Sequence, residues 1–290
     1  MLRTELQKCD TASFKAMQNC IFVTLPMQAR KKSLLSFQNV SVIRNGIKLL
    51  DTLNWEVEEG QHWAVTGASG SGKTLLSEVI TGNVAHQGEV RVSPELLIER
   101  VSQQHQFRNR SHTRDLYYQQ RFQSQDADDA LTLGEVMEEF PPSVRHRKEL
   151  LLQQLHLKTC LSKSMIQLSN GENKRFQLLK ALLYHPHLIV LDNPFVGLDS
   201  AGRQILKTLL AEIAQQGIQL IVIGPANEWP SCLTHVLELQ QGKLVFSGPK
   251  ANYKPLPFKP NYAFPEKLLP ELTGRPSCCS GHSLLITSSI

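Results

Sequence analysis

The segment "HWAVTGASGSGKT", His62–Thr74, decides the fold predicted for this chain of 290 residues. A short apolar run of strand length leads into Gly67–Thr74, which matches the pattern G-x-x-x-x-G-K-[ST] at every specified position. Such a loop between a strand and a helix brings backbone N–H groups and the helix N-terminus together around phosphate oxygens. The segment therefore predicts a phosphate-binding loop.

The individual residues of this loop have distinct expected roles. Lys73 should reach the β- and γ-phosphates of a nucleotide, and the Thr74 hydroxyl should bind Mg²⁺. The glycines allow the backbone to curl so that its N–H groups face inward. The predicted nucleotide contacts are Gly67, Ala68, Ser69, Gly70, Ser71, Gly72, Lys73 and Thr74.

Two further motifs follow in the second half of the chain. In "LIVLDNPFVGLDS", Leu188–Ser200, a continuous apolar run ends at Asp192, which is expected to hold Mg²⁺ directly or through water. In "LSNGE", Leu168–Glu172, Ser169 stands three residues before Glu172, and this spacing predicts a capping box at the start of a helix.

The order of these motifs is similar to that of ATP-binding cassette (ABC) domains, over about residues 34–249. The resemblance implies an α/β fold, the P-loop NTPase fold of ABC type. Its core is a mainly parallel sheet with helices, and it carries an antiparallel β subdomain and a helical subdomain at about 104–170. Residues 1–33 are expected to be a loosely ordered extension, and 250–290 a Pro/Ser-rich tail.

The same resemblance implies the cofactors, ATP and Mg²⁺, and a head-to-tail pair of cassettes. Each ATP would lie between Gly67–Thr74 of one chain and a second site on the other chain, made by Ser169, Asn170 and Gly171. Asn170 replaces a usual Gly but retains its N–H group. The partner is expected to be a second copy or another ABC cassette. A membrane permease would dock on the helical subdomain, so the chain is expected to be cytoplasmic and peripheral to the inner membrane. A looser likeness is to cassettes associated with molybdate transport and photorepair.

The resemblance also implies a Gln after the strand that follows the phosphate loop. "ERVSQQHQ", Glu99–Gln106, offers Gln103, with Gln104 as the second choice. This Gln is expected to contact both Mg²⁺ and the attacking water.

Asn193 occupies the position where the family has a catalytic Glu. An amide orients water but is not basic, and losing a general base costs roughly 10²–10⁴-fold in rate. Pro225 stands about where the family has a His near the γ-phosphate, and rescue by Glu228 or His235 is the alternative to its loss. The residues therefore predict an ATP hydrolase of ABC type with slow turnover.

The stacking aromatic that the family places before the phosphate loop is missing, since the chain has Val42, Ile43 and Arg44 there. A guanidinium can stack on a base, so Arg44 is a candidate replacement.

Two other functions stay open. One is an ATP-dependent dimerisation switch without significant turnover. The other is a nucleic-acid-associated cassette, suggested by arginines interleaved with aromatics in "FRNRSHTRDLYYQQRFQS", Phe107–Ser124, and it is the least favoured. The net charge of +5, from 31 basic and 26 acidic residues, does not decide between them. No apolar stretch approaches the ~20 residues needed to span a bilayer.

Hairpins are predicted at three places. Asn45-Gly46 and Gln241-Gly242 suit turns with positive φ, and a further hairpin is predicted around Gly88.

Overall fold

A mixed α/β architecture is present in the computed structural model, which describes residues 32–103, 106–108, 114–116 and 130–255. The strands are β1 Ser33–Arg44, β2 Ile47–Glu58, β3 Trp63–Gly67, β4 Gln87–Val92, β5 Ile98–Val101, β6 Gln106–Arg108, β7 Arg114–Leu116, β8 Leu188–Asp192, β9 Gln219–Ile223, β10 His235–Gln240 and β11 Lys243–Pro249. The helices are α1 Lys73–Ile80, α2 Leu133–Glu138, α3 Arg145–Gln154, α4 Asn170–Leu182 and α5 Ser200–Gln215.

The central sheet has six strands in the order β11-β10-β3-β9-β8-β5. All neighbours are parallel except β11, which is antiparallel to β10. Each face of this sheet covers its own apolar core, and β8 contributes alternate residues to both. Leu188 and Val190 pack in one core, while Ile189 and Leu191 pack in the other. A strand buried on both faces must be apolar throughout, which explains the uninterrupted run that ends at Asp192.

A second, antiparallel sheet has the order β2-β1-β4. Asn45 and Gly46 both have positive φ and join β1 to β2, which confirms the hairpin predicted there. Gln241 and Gly242 likewise turn β10 into β11. The predicted α/β fold, with its parallel core and antiparallel subdomain, is therefore confirmed.

The hairpin predicted around Gly88 is wrong. Gly88 lies within β4, which pairs with the distant strand β1. The register of that pairing shifts between Gln38 and Ser41, and a Cβ atom on Gly88 would collide with the carbonyl oxygen of Asn39. The glycine is required by a bulge and a close backbone approach.

The region between β5 and β8 is largely helical in its described part, with α2, α3 and α4. Within it, β6 and β7 pair as a short antiparallel ladder. Gln104, and the side chains of the arginine-rich stretch 107–124, lie outside the described residues. The nucleic-acid alternative therefore rests on the sequence pattern alone.

The longest described helix, α5, has 16 residues. No helix in the described part of the chain combines the length and the apolar character that crossing a bilayer requires.

Candidate functional site

The predicted phosphate loop connects β3 to α1. Its glycines Gly67, Gly70 and Gly72 have φ of 137°, 76° and 99°, values that L side chains rarely adopt. A Cβ atom on Gly67 would also collide with the carbonyl oxygen of Leu239 on β10. Glycine is thus required both by the backbone conformation and by the space available.

The Lys73 ammonium lies inside the curve of this loop. Its Nζ donates hydrogen bonds to the carbonyl oxygens of Gly67, at 2.9 Å, and Ala68, at 2.7 Å. Burial lowers the pKa of Lys73, and the nearby Asp192 carboxylate opposes that shift. A partly desolvated cation within this curved glycine-rich backbone has the electrostatic character that phosphate binding requires.

The carboxyl ends of the parallel strands bring three of the predicted site residues together. Asn193 follows β8, its N–H donates to Ile223 O on β9 at 3.0 Å, and its φ is 46°, a left-handed value that Asn tolerates. Its side-chain Nδ2 donates to Gln103 Oε1 at 3.2 Å and to Asp192 Oδ1 at 3.0 Å. An amide nitrogen in this position donates protons and cannot accept one.

The chemical types of the three predicted ligands suit a magnesium ion. Asp192 is 2 % exposed, and Thr74 and Gln103 supply neutral oxygens at the positions that the resemblance assigns to metal ligands. No group of three or more His, Cys, Asp or Glu side chains in the described ranges is arranged to hold a metal. One carboxylate with neutral oxygens is a donor set suited to Mg²⁺, which is usually bound partly through substrate phosphates.

Arg100 on β5 was not found by sequence reasoning, although it contacts Asp192. Its Nη2 lies 3.5 Å from Asp192 Oδ2, and its Nη1 lies 3.8 Å from Glu78 Oε1 on α1. Arg100 Nε is buried and has no hydrogen-bond partner in the described part of the chain. The available signal was a pair of charged residues, Glu99 and Arg100, inside the short strand "IERV".

Lys174 on α4 was also missed. Its ammonium donates to the main-chain oxygens of Ser102 and Gln103 and to Gln177 Oε1. Burial lowers its pKa to about 8, although the Asp192 carboxylate raises it. The signal in the sequence was weak, since lysine in a helix usually faces solvent.

The capping box predicted at Ser169 is confirmed. Ser169 Oγ accepts from Glu172 N at 3.2 Å, and Glu172 Oε2 accepts from Ser169 N at 2.8 Å. Burial raises the pKa of Glu172, but hydrogen bonds from the Lys163 ammonium and from Ser169 N lower it more, and the pKa falls to about 2. The first turn of α4 is therefore held by a carboxylate that stays ionised.

Asn170 is the first residue of α4, so it needs no left-handed conformation to replace glycine. Its Nδ2 donates to Gly197 O at 2.9 Å. Asn170 and Gly197 both line a cleft of about 470 Å³, and Ser169, Gly171 and Asp199 line it too. Within the described residues, no hydrogen bond joins this cleft to the phosphate loop.

The sheet register argues against rescue by His235. His235 is opposite Trp63, at the start of β3, about 13 Å along the strands from Gly67. The Glu228 carboxylate is engaged in an ion pair, because its Oε1 lies 3.3 Å from Arg203 Nη1. Pro225 stands two residues after Ile223, which is bonded to Asn193. His235 therefore does not lie at the carboxyl edge of the sheet.

Arg44 remains a candidate for contacting the base. It stands at the end of β1, and its Nη2 lies 3.8 Å from Glu78 Oε2 on α1. The hairpin that follows Arg44 packs against the phosphate loop, since a Cβ atom on Gly72 would be 2.6 Å from Leu50 Cδ2.

Comparison with known proteins agrees with this geometry. The family model described as "ABC transporter" matches residues 50–196. An uncharacterised ABC transporter ATP-binding protein of Schizosaccharomyces pombe is 29 % identical over 273 residues, which cover 86 % of this chain and 55 % of that protein. The ABC transporter ATP-binding protein ModF of Escherichia coli is 28 % identical over 199 residues, covering 64 % of this chain and 39 % of that protein. The chain thus spans about half or less of these two relatives.

Solved structures show the same fold. The ADP conformation of an ATP-binding cassette of an ABC transporter aligns with a TM-score of 0.58 at 20 % identity, covering 75 % of this chain and 91 % of that one. The family match covers the phosphate loop, the Ser169 turn and Asp192 in one continuous stretch. This chain therefore belongs to the ABC transporter family, as one of its ATP-binding cassettes.

Proposed function

We propose that this protein binds ATP with Mg²⁺ between Gly67–Thr74 of one chain and Ser169–Gly171 of a second cassette, and that it hydrolyses ATP slowly. The observation that carries the proposal is the Asn193 amide, which donates to both Gln103 and Asp192 where the family has a catalytic carboxylate.

Nucleotide binding is supported by the phosphate loop and its lysine. Lys73 is partly desolvated, and the curved backbone around it supplies N–H donors. Asp192, Gln103 and Thr74 would hold Mg²⁺, which would neutralise phosphate charge when it is bound. The exposed helix end at Ser169, stabilised by its capping box, is suited to phosphate oxygens from a second chain.

Slow hydrolysis is supported by what surrounds the position of the attacking water. Asn193 cannot take a proton from water, and Pro225 has no N–H and no side-chain donor. Of the two alternatives, Glu228 pairs with Arg203, and His235 lies at the opposite end of the parallel strands. These substitutions leave the predicted phosphate-binding groups intact.

Family membership supports a proposal for the assembly and location of the chain. ABC cassettes act in pairs, and we propose either a homodimer or a pair with a different cassette that supplies intact catalytic residues. In this account the chain is cytoplasmic and peripheral to the membrane through a permease that contacts its helical region. If the second chain is another copy, neither site has a general base at residue 193. The alternative function is then an ATP-dependent dimerisation switch without significant turnover.

Binding is tested by measuring ATP·Mg²⁺ affinity by calorimetry for the wild type, Lys73→Ala and the control Lys158→Ala. Lys158 is on a short turn and its ammonium contacts Gln153. We expect Lys73→Ala to lose binding by at least about 100-fold, because a desolvated cation-to-phosphate contact is removed, and Lys158→Ala to bind normally. Tight binding by Lys73→Ala would refute the phosphate-loop assignment.

A further inference from the structure

Lys174 is a charged residue that the fold buries. It lies on α4 and is 8 % exposed, in the same helix as the buried Phe176 and Leu178. Burying an ammonium is costly unless its N–H groups are satisfied. Some feature of the surrounding structure must therefore compensate for this charge.

The three hydrogens of the Lys174 ammonium meet three acceptors. They are Ser102 O at 3.5 Å, Gln103 O at 3.1 Å and Gln177 Oε1 at 3.5 Å. Gln177 Nε2 in turn donates to Asn173 Oδ1 at 3.4 Å, which fixes the acceptor on α4. Two of the three contacts thus reach across from α4 to the main chain that follows β5.

One of the main-chain groups that Lys174 contacts belongs to Gln103, whose side-chain amide oxygen accepts a hydrogen bond from Asn193 Nδ2. Ser102 and Gln103 come directly after β5, at the end of the sheet edge strand. Gln103 is exposed, so burial does not fix its backbone. It also lies beyond the end of β5, so the hydrogen bonds of the sheet do not fix it either. The Lys174 ammonium is a contact that can do so.

We propose that Lys174 is a positioning residue, which holds the Ser102–Gln103 main chain from α4 and so keeps the Gln103 amide in hydrogen-bond reach of Asn193 and available to the metal edge. This rests on the proposed function only in taking that edge as a Mg²⁺ site. The same contact connects the helix that begins after Ser169 to Gln103. Movement of α4 would therefore displace Gln103.

The experiment compares Lys174→Met with the matched control Lys180→Met. Lys180 is on the same helix, and burial lowers its pKa too, but its ammonium lies over the Phe176 ring at 5.0 Å and is not bonded to Gln103. Two quantities are measured on the full chain. One is amide hydrogen exchange of residues 101–103 without nucleotide. The other is ATP affinity with Mg²⁺ and with EDTA.

We expect Lys174→Met to speed exchange at 101–103 and to reduce the Mg²⁺-dependent gain in ATP affinity, each by roughly tenfold, as expected for a lost hydrogen bond to a charged group. Affinity in EDTA should be unchanged, and Lys180→Met should change neither quantity. If Lys174 affected only the overall stability of the protein, Lys174→Met would not selectively reduce the Mg²⁺-dependent gain in ATP affinity.

If Lys174→Met does not fold, the same two measurements are made on Lys174→Gln. The side-chain donor of glutamine is one atom shorter than that of lysine and carries no charge, so this variant should give the same two changes. Exchange and Mg²⁺ dependence equal to those of Lys180→Met would overturn the proposal. Because exchange is measured without nucleotide, it supports or overturns the anchoring even if the wild type fails to bind ATP.

Discussion

Asp192 and Asn193 are adjacent residues with opposite capacities. Asp192 is a buried acceptor that contacts Arg100, and Asn193 places an amide donor between Asp192 and Gln103. The identity of both residues, and the chemical consequence of an amide, could be predicted from the sequence because the motif is local. The hydrogen bond from Asn193 to Gln103 could not, because it depends on a residue 90 positions earlier in the chain, just after β5.

Glycine at position 67 is the residue on which the phosphate loop depends most directly. Gly67→Ala should destabilise the protein by about 2 kcal/mol or more and weaken ATP binding, because a Cβ atom meets Leu239 O at a strained φ. Chemical denaturation with parallel ATP titration measures both effects.

The control is Gly82→Ala. Gly82 also has positive φ, at 71°, but nothing lies within 4 Å of the position that a Cβ atom would occupy, so only about 1 kcal/mol of backbone strain is expected. Equal losses for the two variants would show that steric contact with β10 is unimportant.

At the scale of single elements, α4 combines features that the sequence shows and features that it hides. Its start was predictable, because the spacing of Ser169 and Glu172 is a local signal. The buried polar side chains Asn173, Lys174 and Gln177 were not, because their burial is decided by tertiary packing and Lys174 finds partners on another element. A helical pattern identifies an apolar face without showing which polar residues share it.

The start of α4 should respond to acid. The folded pKa of Glu172, about 2, lies below its ordinary value of 4.5, so the stability it contributes is complete above about pH 4.5 and is lost as the pH falls toward 2. Glu172→Gln should therefore be less stable than the wild type at pH 6, and the difference should shrink by pH 3. Urea unfolding at each pH measures this difference.

Ser169→Ala provides the uncharged comparison, because it removes the cap and should cost about 1 kcal/mol at every pH. A wild-type advantage over Glu172→Gln that stays constant down to pH 3 would contradict the ionised role of Glu172.

For the whole molecule, the sequence predicted the α/β class and the parallel core because β8 and β9 are apolar on both faces. It failed where pairing is long-range. The sequence predicts a hairpin around Gly88, whereas β4 pairs back to the distant strand β1. Sheet order and register depend on contacts between distant parts of the chain, and residue spacing does not encode them directly.

The assembled protein should bind ATP and remain paired, since both sites of a homodimer have the amide at residue 193. A partner cassette with an intact base would change this outcome at one site. Oligomeric state and turnover therefore have to be measured on the same samples.

The most direct test compares the ATPase rates of the purified wild type and Asn193→Glu. Sedimentation in ATP·Mg²⁺ measures the oligomeric state of the same samples. Thermal unfolding is the control for backbone strain, because residue 193 has a φ of 46°. We predict slow turnover and a persistent ATP-bound dimer for the wild type, and a rate at least about 100-fold higher with a shorter-lived dimer for Asn193→Glu, as expected when a general base is restored. Rapid phosphate release by the wild type alone, or no gain in rate from a stably folded Asn193→Glu, would contradict the account.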